Sequence, residues 1–140
     1  MAPLSHLTHI SITGISVPDM PSAPDLLPAN ISRLIPLTPA VFYVLLALSS
    51  GARHGYSIMQ ETTSLSEGGF TMGPATLYST IQRLVELDLI VETEGEADAG
   101  SRRRYYELTG MGNTLLIAEV RRVGSVMKRA ARLVLGRSEG

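Results

Sequence analysis

Between residues 74 and 90 the apolar positions recur at helical spacing. Leu77, Ile81, Leu84 and Val85 fall at i, i+4, i+7 and i+8, and Asp88 closes the series at i+11. All but Asp88 lie on one apolar stripe, which must pack against something. Thr76, Ser79, Gln82, Arg83 and Glu86 occupy the opposite face, and most carry hydrogen-bonding groups short enough to be held rigidly beside a partner. Pro74 suits the first helical position, because the N–H it lacks would be unpaired there and its φ is already helical; Gly73 before it is a tolerable N-cap.

The period then changes. Residues 89–94 (LIVETE) are β-branched enough for a short strand, and residues 102–108 (RRRYYEL) supply an antiparallel partner. The linker GEADAGS is too long for a two-residue turn and rich in Gly, Ala and acidic residues, which predicts a mobile, solvent-exposed tip. Arg102, Arg103 and Arg104 sit at the base of that tip, where alternation of faces must turn some guanidinium groups outward. Such forks suit phosphates. Since Leu108 should face inward, Tyr106 is expected in the core and Tyr105 nearer solvent.

Upstream, Thr38 and Pro39 form a cap and first-turn pair, and Val41, Phe42, Leu45, Leu46 and Leu48 give a strongly buried helix that Gly51 ends. His54, Gly55 and Tyr56 open a second helix, roughly to Leu65, with Ile58, Met59 and Thr62 toward the core. A final helix runs from near Thr109 to about Leu135, a rod of about 40 Å at 1.5 Å per residue. So small a domain cannot bury it. Leu116, Val120, Val123, Met127, Ala130 and Val134 are spaced as the seam of a coiled coil, which predicts dimerisation; the other reading packs this stripe back on the helix from Thr38 within one subunit. Gly124 weakens the helix by about 1 kcal/mol relative to Ala. The expected fold is mainly α with a small β-hairpin: a winged helix-turn-helix plus a long C-terminal dimerisation helix.

Composition narrows the classes. The chain has 140 residues, a formal charge of −1 and no Cys or Trp, as one soluble domain with extra segments would. Residues 1–36 form a Pro-rich extension, flexible or docked on a partner; residues 37–108 the winged-helix domain; residues 109–136 the dimerisation helix; residues 137–140 a tail. The extension has neither the basic start nor the continuous apolar core of a secretory signal, and Met20 offers an alternative translation start. The near-zero charge argues against blanket nucleic-acid affinity, but Arg121, Arg122, Lys128, Arg129, Arg132 and Arg137 cluster in and just beyond the last helix, with Glu119 and Glu139 the only acids from Asn113 onward. No apolar run approaches the roughly 20 residues that span a bilayer, so no membrane partner is expected. The lack of Cys is comfortable in a reducing cytoplasm, the expected location. No His, Asp and Glu trio has metal spacing and no serine sits in a nucleophile elbow, so the chain reads as a non-enzyme without cofactor or metal.

Four motifs, in order, resemble the PadR family of bacterial transcriptional regulators. LTPAVFYVLLALSSGARHGYSIMQE is similar to that family's first two helices with their HGY turn, GPATLYSTIQRLVELDLI to its recognition helix, and SRRRYYELTGMG to its wing strand and the start of its last helix. The resemblance covers about residues 37–135. It implies a dimeric winged-helix repressor, released from DNA in many members by a small ligand, and the short last helix is similar to the subgroup with a reduced C-terminal domain. Two positions depart from the pattern: Ala75 and Asp88 stand where the family commonly has Gly. If position 88 needs a positive φ, Asp adopts it less readily than Gly but better than most residues.

A DNA reader of this kind would place the first half of the Pro74 helix in the major groove, with Thr76, Ser79 and Gln82 nearest base edges and Arg83 on a phosphate. Tyr78 resembles the family's tyrosine that supports backbone contact, or else simply closes the edge of the core. Arg102, Arg103 and Arg104 grip phosphates, or else pair with Glu92, Glu94 and Glu96 opposite; the acidic tip argues against deep insertion of the wing. His54 is expected as a turn or packing residue rather than a titrating or effector-binding one. The basic residues of the last helix are expected to flank the dimer seam in solvent. Phe42, Leu46, Val123 and Met127 are candidate walls of a pocket for a small hydrophobic or aromatic effector, and equally an ordinary dry core. The leading function is therefore a homodimeric, sequence-specific repressor acting on a pseudo-palindromic operator in double-stranded DNA; the alternative is a winged-helix module that binds another protein and has lost DNA contact.

Overall fold

A computed structural model describes residues 26–94 and 103–136. Helix α1 (Ala29–Ser32) leads into α2 (Pro39–Ala47) and a 3-10 turn (Leu48–Ser50), followed by strand β1 (Arg53–His54), α3 (Gly55–Leu65), α4 (Pro74–Glu86), β2 (Ile90–Thr93), β3 (Tyr105–Leu108) and α5 (Gly110–Val134). The three strands form one antiparallel sheet in the order β1-β3-β2. The expected hairpin is present as β2 and β3, each shorter than its sequence range. What the pattern did not contain is β1: His54 pairs with Tyr105 and Arg53 with Tyr106, so the sheet has three strands rather than two.

Local chemistry explains most boundaries. Thr38 caps α2 by accepting the Val41 N–H at 3.3 Å, with Pro39 in the first turn. His54, not a hydroxyl residue, caps α3: its Nδ1 accepts the Ser57 N–H at 3.3 Å. Gly73 stands extended before Pro74 at the start of α4. That helix ends with Asp88 at φ 61°, where the Leu89 N–H reaches the Leu84 carbonyl at 2.9 Å and the Asp88 N–H reaches Val85 at 3.0 Å. This is the reversal that glycine usually makes. Thr109 then ties the turn to the last helix, donating to the Asp88 carbonyl at 2.6 Å and accepting the Gly112 N–H at 3.0 Å.

The core lies where α2, α3, α4 and the start of α5 meet, around Leu45, Ile58, Leu77, Leu84, Leu89 and Leu115. Of the stripe on α4, Leu77, Ile81 and Leu84 are buried, whereas Val85 is at the exposed margin. The sequence places residues 26–36 in the extension, yet Leu27 and Ile31 are buried in the same core. Residues 1–25, the wing tip with Arg102, and residues 137–140 lie outside the described residues.

Only the first third of α5 is embedded. Gly112, Leu115, Leu116, Ala118 and Glu119 are its buried residues. At Gly112 the helix backbone runs directly against the Leu89 carbonyl, so that any side chain there would collide with it. Leu116, the first position of the expected seam, therefore belongs to its own subunit's core. Further along, Val120 is 45% exposed, Met127 56% and Val134 65%, with Val123 and Ala130 half-buried.

Candidate nucleic-acid interface

The buried side of α4 fixes the orientation of its outer side. With Leu77, Ile81 and Leu84 locked into the core, Thr76, Tyr78, Ser79, Gln82 and Arg83 all face solvent. The Ser79 hydroxyl donates to the Thr76 carbonyl at 3.1 Å, which leaves its oxygen to accept from an outside group. Tyr78 is 51% exposed and stands as a ridge between two clefts. Its hydroxyl rests against Gly55: a Cβ at that position would come within 2.5 Å of it. A side chain at position 55 would have to displace the end of Tyr78 from where it now rests.

The first cleft, about 490 Å³, is bounded by His54, Tyr56, Tyr78, Arg103 and Arg104. Strand pairing builds it, since β1 sets His54 beside Tyr105 and delivers Arg103 to the imidazole. Arg103 Nη1 lies 3.1 Å from His54 Nε2, and the Tyr105 ring meets the imidazole edge-on at 5.4 Å. Burial first, and then the charge of Arg103, lowers the pKa of His54 below its ordinary value, which favours the neutral imidazole. On the other side of Tyr78 a cleft of about 500 Å³ is bounded by Gln82, Glu86, Glu92 and Arg104. Here Arg104 reaches Glu92 at 3.7 Å, with both groups largely in solvent, so the pair adds little stability and leaves the guanidinium available to a stronger anion. Tyr106 is buried, and burial followed by Glu92 raises its hydroxyl pKa, with Arg104 opposing.

The structure thus gathers Tyr78, Gln82, Arg103 and Arg104 on one side of the domain. The two guanidinium groups, the Gln82 amide and the Tyr78 hydroxyl can donate there, and the carboxylates of Glu86 and Glu92 lie in the second cleft. Among the described residues no group of three or more His, Cys, Asp or Glu side chains is placed to hold a metal ion, and no helix is long and apolar enough to cross a membrane.

Residues 44–118, just over half of the chain, match the Transcriptional regulator PadR-like family. The chain belongs to that family. PadR-like proteins are transcriptional regulators and not enzymes. This PadR-like chain is 36% identical over 83 residues to a transcriptional regulator of Mycobacterium tuberculosis, covering 59% of this chain and 70% of the other. It is 36% identical over 64 residues to an uncharacterized protein of Lysinibacillus sphaericus, spanning 46% of this chain and 59% of that relative. Its fold is similar to that of a transcriptional regulator from Clostridium thermocellum (TM-score 0.57, 22% identity, 77% of this chain and 98% of the other). It is also similar to Bacillus subtilis PadR in complex with operator DNA (TM-score 0.51, 18% identity, 57% of this chain and 45% of the other).

Two features of this PadR-like domain had no signal in the hydrophobic pattern. Arg53 donates from Nε to the Ala47 carbonyl at 2.9 Å and from Nη1 to the Ser57 hydroxyl at 2.9 Å, and reaches Glu61 at 3.5 Å, which holds the turn that presents His54. Glu119 is 3% exposed, accepts the Leu37 N–H at 2.9 Å and pairs with Arg122 at 2.7 Å. Elsewhere on α5 the cations Arg121, Lys128, Arg129 and Arg132 are exposed. Phe42 and Leu46 are half-buried against the core; on α5 Val123 is half-buried and Met127 is open.

Proposed function

We propose that this PadR-like regulator is a homodimeric, sequence-specific DNA-binding repressor. The observation that carries the reading is the joint exposure of Gln82 on α4 and of Arg103 and Arg104 at the wing base, on one side of the domain. Thr76, Ser79 and Gln82 meet base edges in the major groove, and Arg83, Arg103, Arg104 and, beyond the described residues, Arg102 meet phosphates on either side. A protein of similar fold, Bacillus subtilis PadR, has been crystallised with operator DNA, which supports DNA as the partner.

Dimerisation is supported by α5. Val120, Met127 and Val134 project from a helix whose own domain holds only its base, and an apolar strip of that kind is stable in water when a second copy covers it. Val123 and Ala130 lie on the same strip, and Leu116 supports it from within the core. Two copies present two α4 helices, so the operator is a pseudo-palindrome with half-site centres roughly 10 bp or a multiple apart. A small hydrophobic or aromatic effector, held between Phe42 and Leu46 of one subunit and Val123 and Met127 near the dimer seam, would release the DNA by changing that spacing. Gln82→Ala and Arg103→Ala test the reading. Both variants should stay folded and dimeric while losing affinity for the chain's own promoter DNA; undiminished binding by both would contradict it, and a protein partner retained without any DNA affinity would mark an interaction module instead.

A further inference from the structure

His54 has two polar contacts that one neutral imidazole cannot satisfy together. Its Nδ1 accepts the Ser57 N–H that caps α3, and its Nε2 faces Nη1 of Arg103 at 3.1 Å. A neutral imidazole has one acceptor nitrogen and one N–H, and a guanidinium only donates. The two partners therefore compete for a single lone pair. If Nδ1 keeps the cap, the hydrogen sits on Nε2 and points at the same place as an Arg103 N–H; if Nε2 accepts from Arg103, the Ser57 N–H loses its cap.

An anionic oxygen entering the cleft removes the conflict. We propose that His54 and Arg103 together form a seat for one phosphate oxygen of the DNA backbone, in which the imidazole donates through Nε2 while Nδ1 continues to cap α3. The seat rests on the DNA-binding reading above and adds to it a residue on the far side of the cleft from α4. Several features fit a phosphate. The cleft of about 490 Å³ opens beside Tyr78, and among the described residues its charged lining is Arg103 and Arg104, with no carboxylate. The groups facing the imidazole are Arg103 and Tyr105 from the wing, and Tyr78 and Tyr56 also line the cleft, from α4 and α3. Glu92, on β2, pairs with Arg104 and lines the cleft on the other side of the Tyr78 ridge. The sequence predicts a turn or packing residue at His54; in the fold it ends β1 and caps α3, and its second nitrogen faces Arg103.

The chain has three histidines, so nitrogen-15 NMR of histidine-labelled full-length protein can follow His54 directly, with His54→Asn as the assignment control. On adding a promoter duplex, the imidazole should settle into the Nε2–H form, with its proton protected from exchange. Asn at an N-cap keeps the helix capped but removes the distal donor. His54→Asn should therefore bind the duplex about ten-fold more weakly with an unchanged salt dependence, because a neutral donor releases no counterion, whereas Arg103→Ala should lose affinity and about one unit of salt slope. Wild-type affinity in His54→Asn beside a weakened Arg103→Ala would overturn the seat and leave DNA binding standing. An imidazole that responds to inorganic phosphate but not to duplex would also overturn it. Should His54→Asn fail to fold, the wild-type imidazole signal decides alone: no change of tautomer or protection on saturating with duplex rejects the seat.

Discussion

Glu119, near the middle of α5, accepts the backbone N–H of Leu37 at 2.9 Å across 82 residues of sequence. Leu37 lies just before α2, so this bond joins the last helix to the first long one, and Arg122 completes the site with two bonds to the same carboxylate. Truncation to Ala leaves the Leu37 N–H without this acceptor in a partly buried setting and leaves Arg122 without its acid. Glu119→Ala should cost about 2 kcal/mol of unfolding free energy, read by urea titration at a fixed protomer concentration. A loss under about 0.5 kcal/mol would mean water replaces the carboxylate freely.

The same carboxylate predicts an acid response. The hydrogen bond from Arg122 holds the folded pKa of Glu119 below its ordinary value of 4.5, helped by the Leu37 N–H and the charge of Arg122 against the opposing effect of burial. As pH falls, the unfolded chain takes up this proton first. The stabilisation is complete above about pH 4.5 and fades as pH drops through the lowered folded value. Stability measured against pH should therefore fall less steeply below pH 4.5 in Glu119→Gln than in wild type; parallel curves would remove Glu119 from the acid response.

Two glycines sit against other elements with opposite consequences. At Gly112 an added Cβ meets the Leu89 carbonyl, which is fixed by the Thr109 N–H at 3.1 Å and cannot move aside alone. Gly112→Ala should cost about 2–3 kcal/mol. At Gly55 the added atom meets the end of a half-exposed Tyr78 side chain, which can swing into solvent. Gly55→Ala should cost less than about 1 kcal/mol in thermal or urea unfolding, but should weaken DNA binding at least as much as Tyr78→Phe. Equal stability losses at the two sites would show that Tyr78 is not free to move.

Asp88 holds φ 61° at the end of α4, a conformation that disfavours a Cβ, although Asp tolerates it better than branched residues. The bond from Thr109 reaches its backbone carbonyl, so substitution leaves that contact in place. Asp88→Gly should leave stability unchanged or raise it by up to about 1 kcal/mol, and Asp88→Val should lower it by about 1–2 kcal/mol. A more stable Val variant would show that the turn had changed shape.

Caps and periodicity made much of this fold legible. Thr38, Gly73 with Pro74, and Thr109 mark helix starts through chemistry confined to a few adjacent residues, and the alternation placing Tyr106 inward and Tyr105 outward follows from the strand itself. The positive φ at position 88 was suggested only by the resemblance, through the Gly that the family commonly has there. What escaped detection depends on distant partners. A two-residue strand has no alternation to read, so Arg53 and His54 could not be assigned to the sheet without Tyr105 and Tyr106. Leu27 and Ile31 lie in a Pro-interrupted segment with little helical period, yet the core accepts them. Leu116 shares its spacing with the open positions Val120 and Met127, and spacing does not say where the domain stops covering the helix. At the interface, sequence named Tyr78, Gln82, Arg103 and Arg104, whereas the approach of His54 to Arg103 required the sheet.

The relative affinity of the full-length protein for its own promoter and for a shuffled duplex of equal length, measured by fluorescence anisotropy at physiological salt, tests sequence-specific DNA binding most directly. A dimeric reader should prefer the promoter by about a thousand-fold or more, with affinity falling steeply as salt rises. Equal, weak affinity for both duplexes would contradict it.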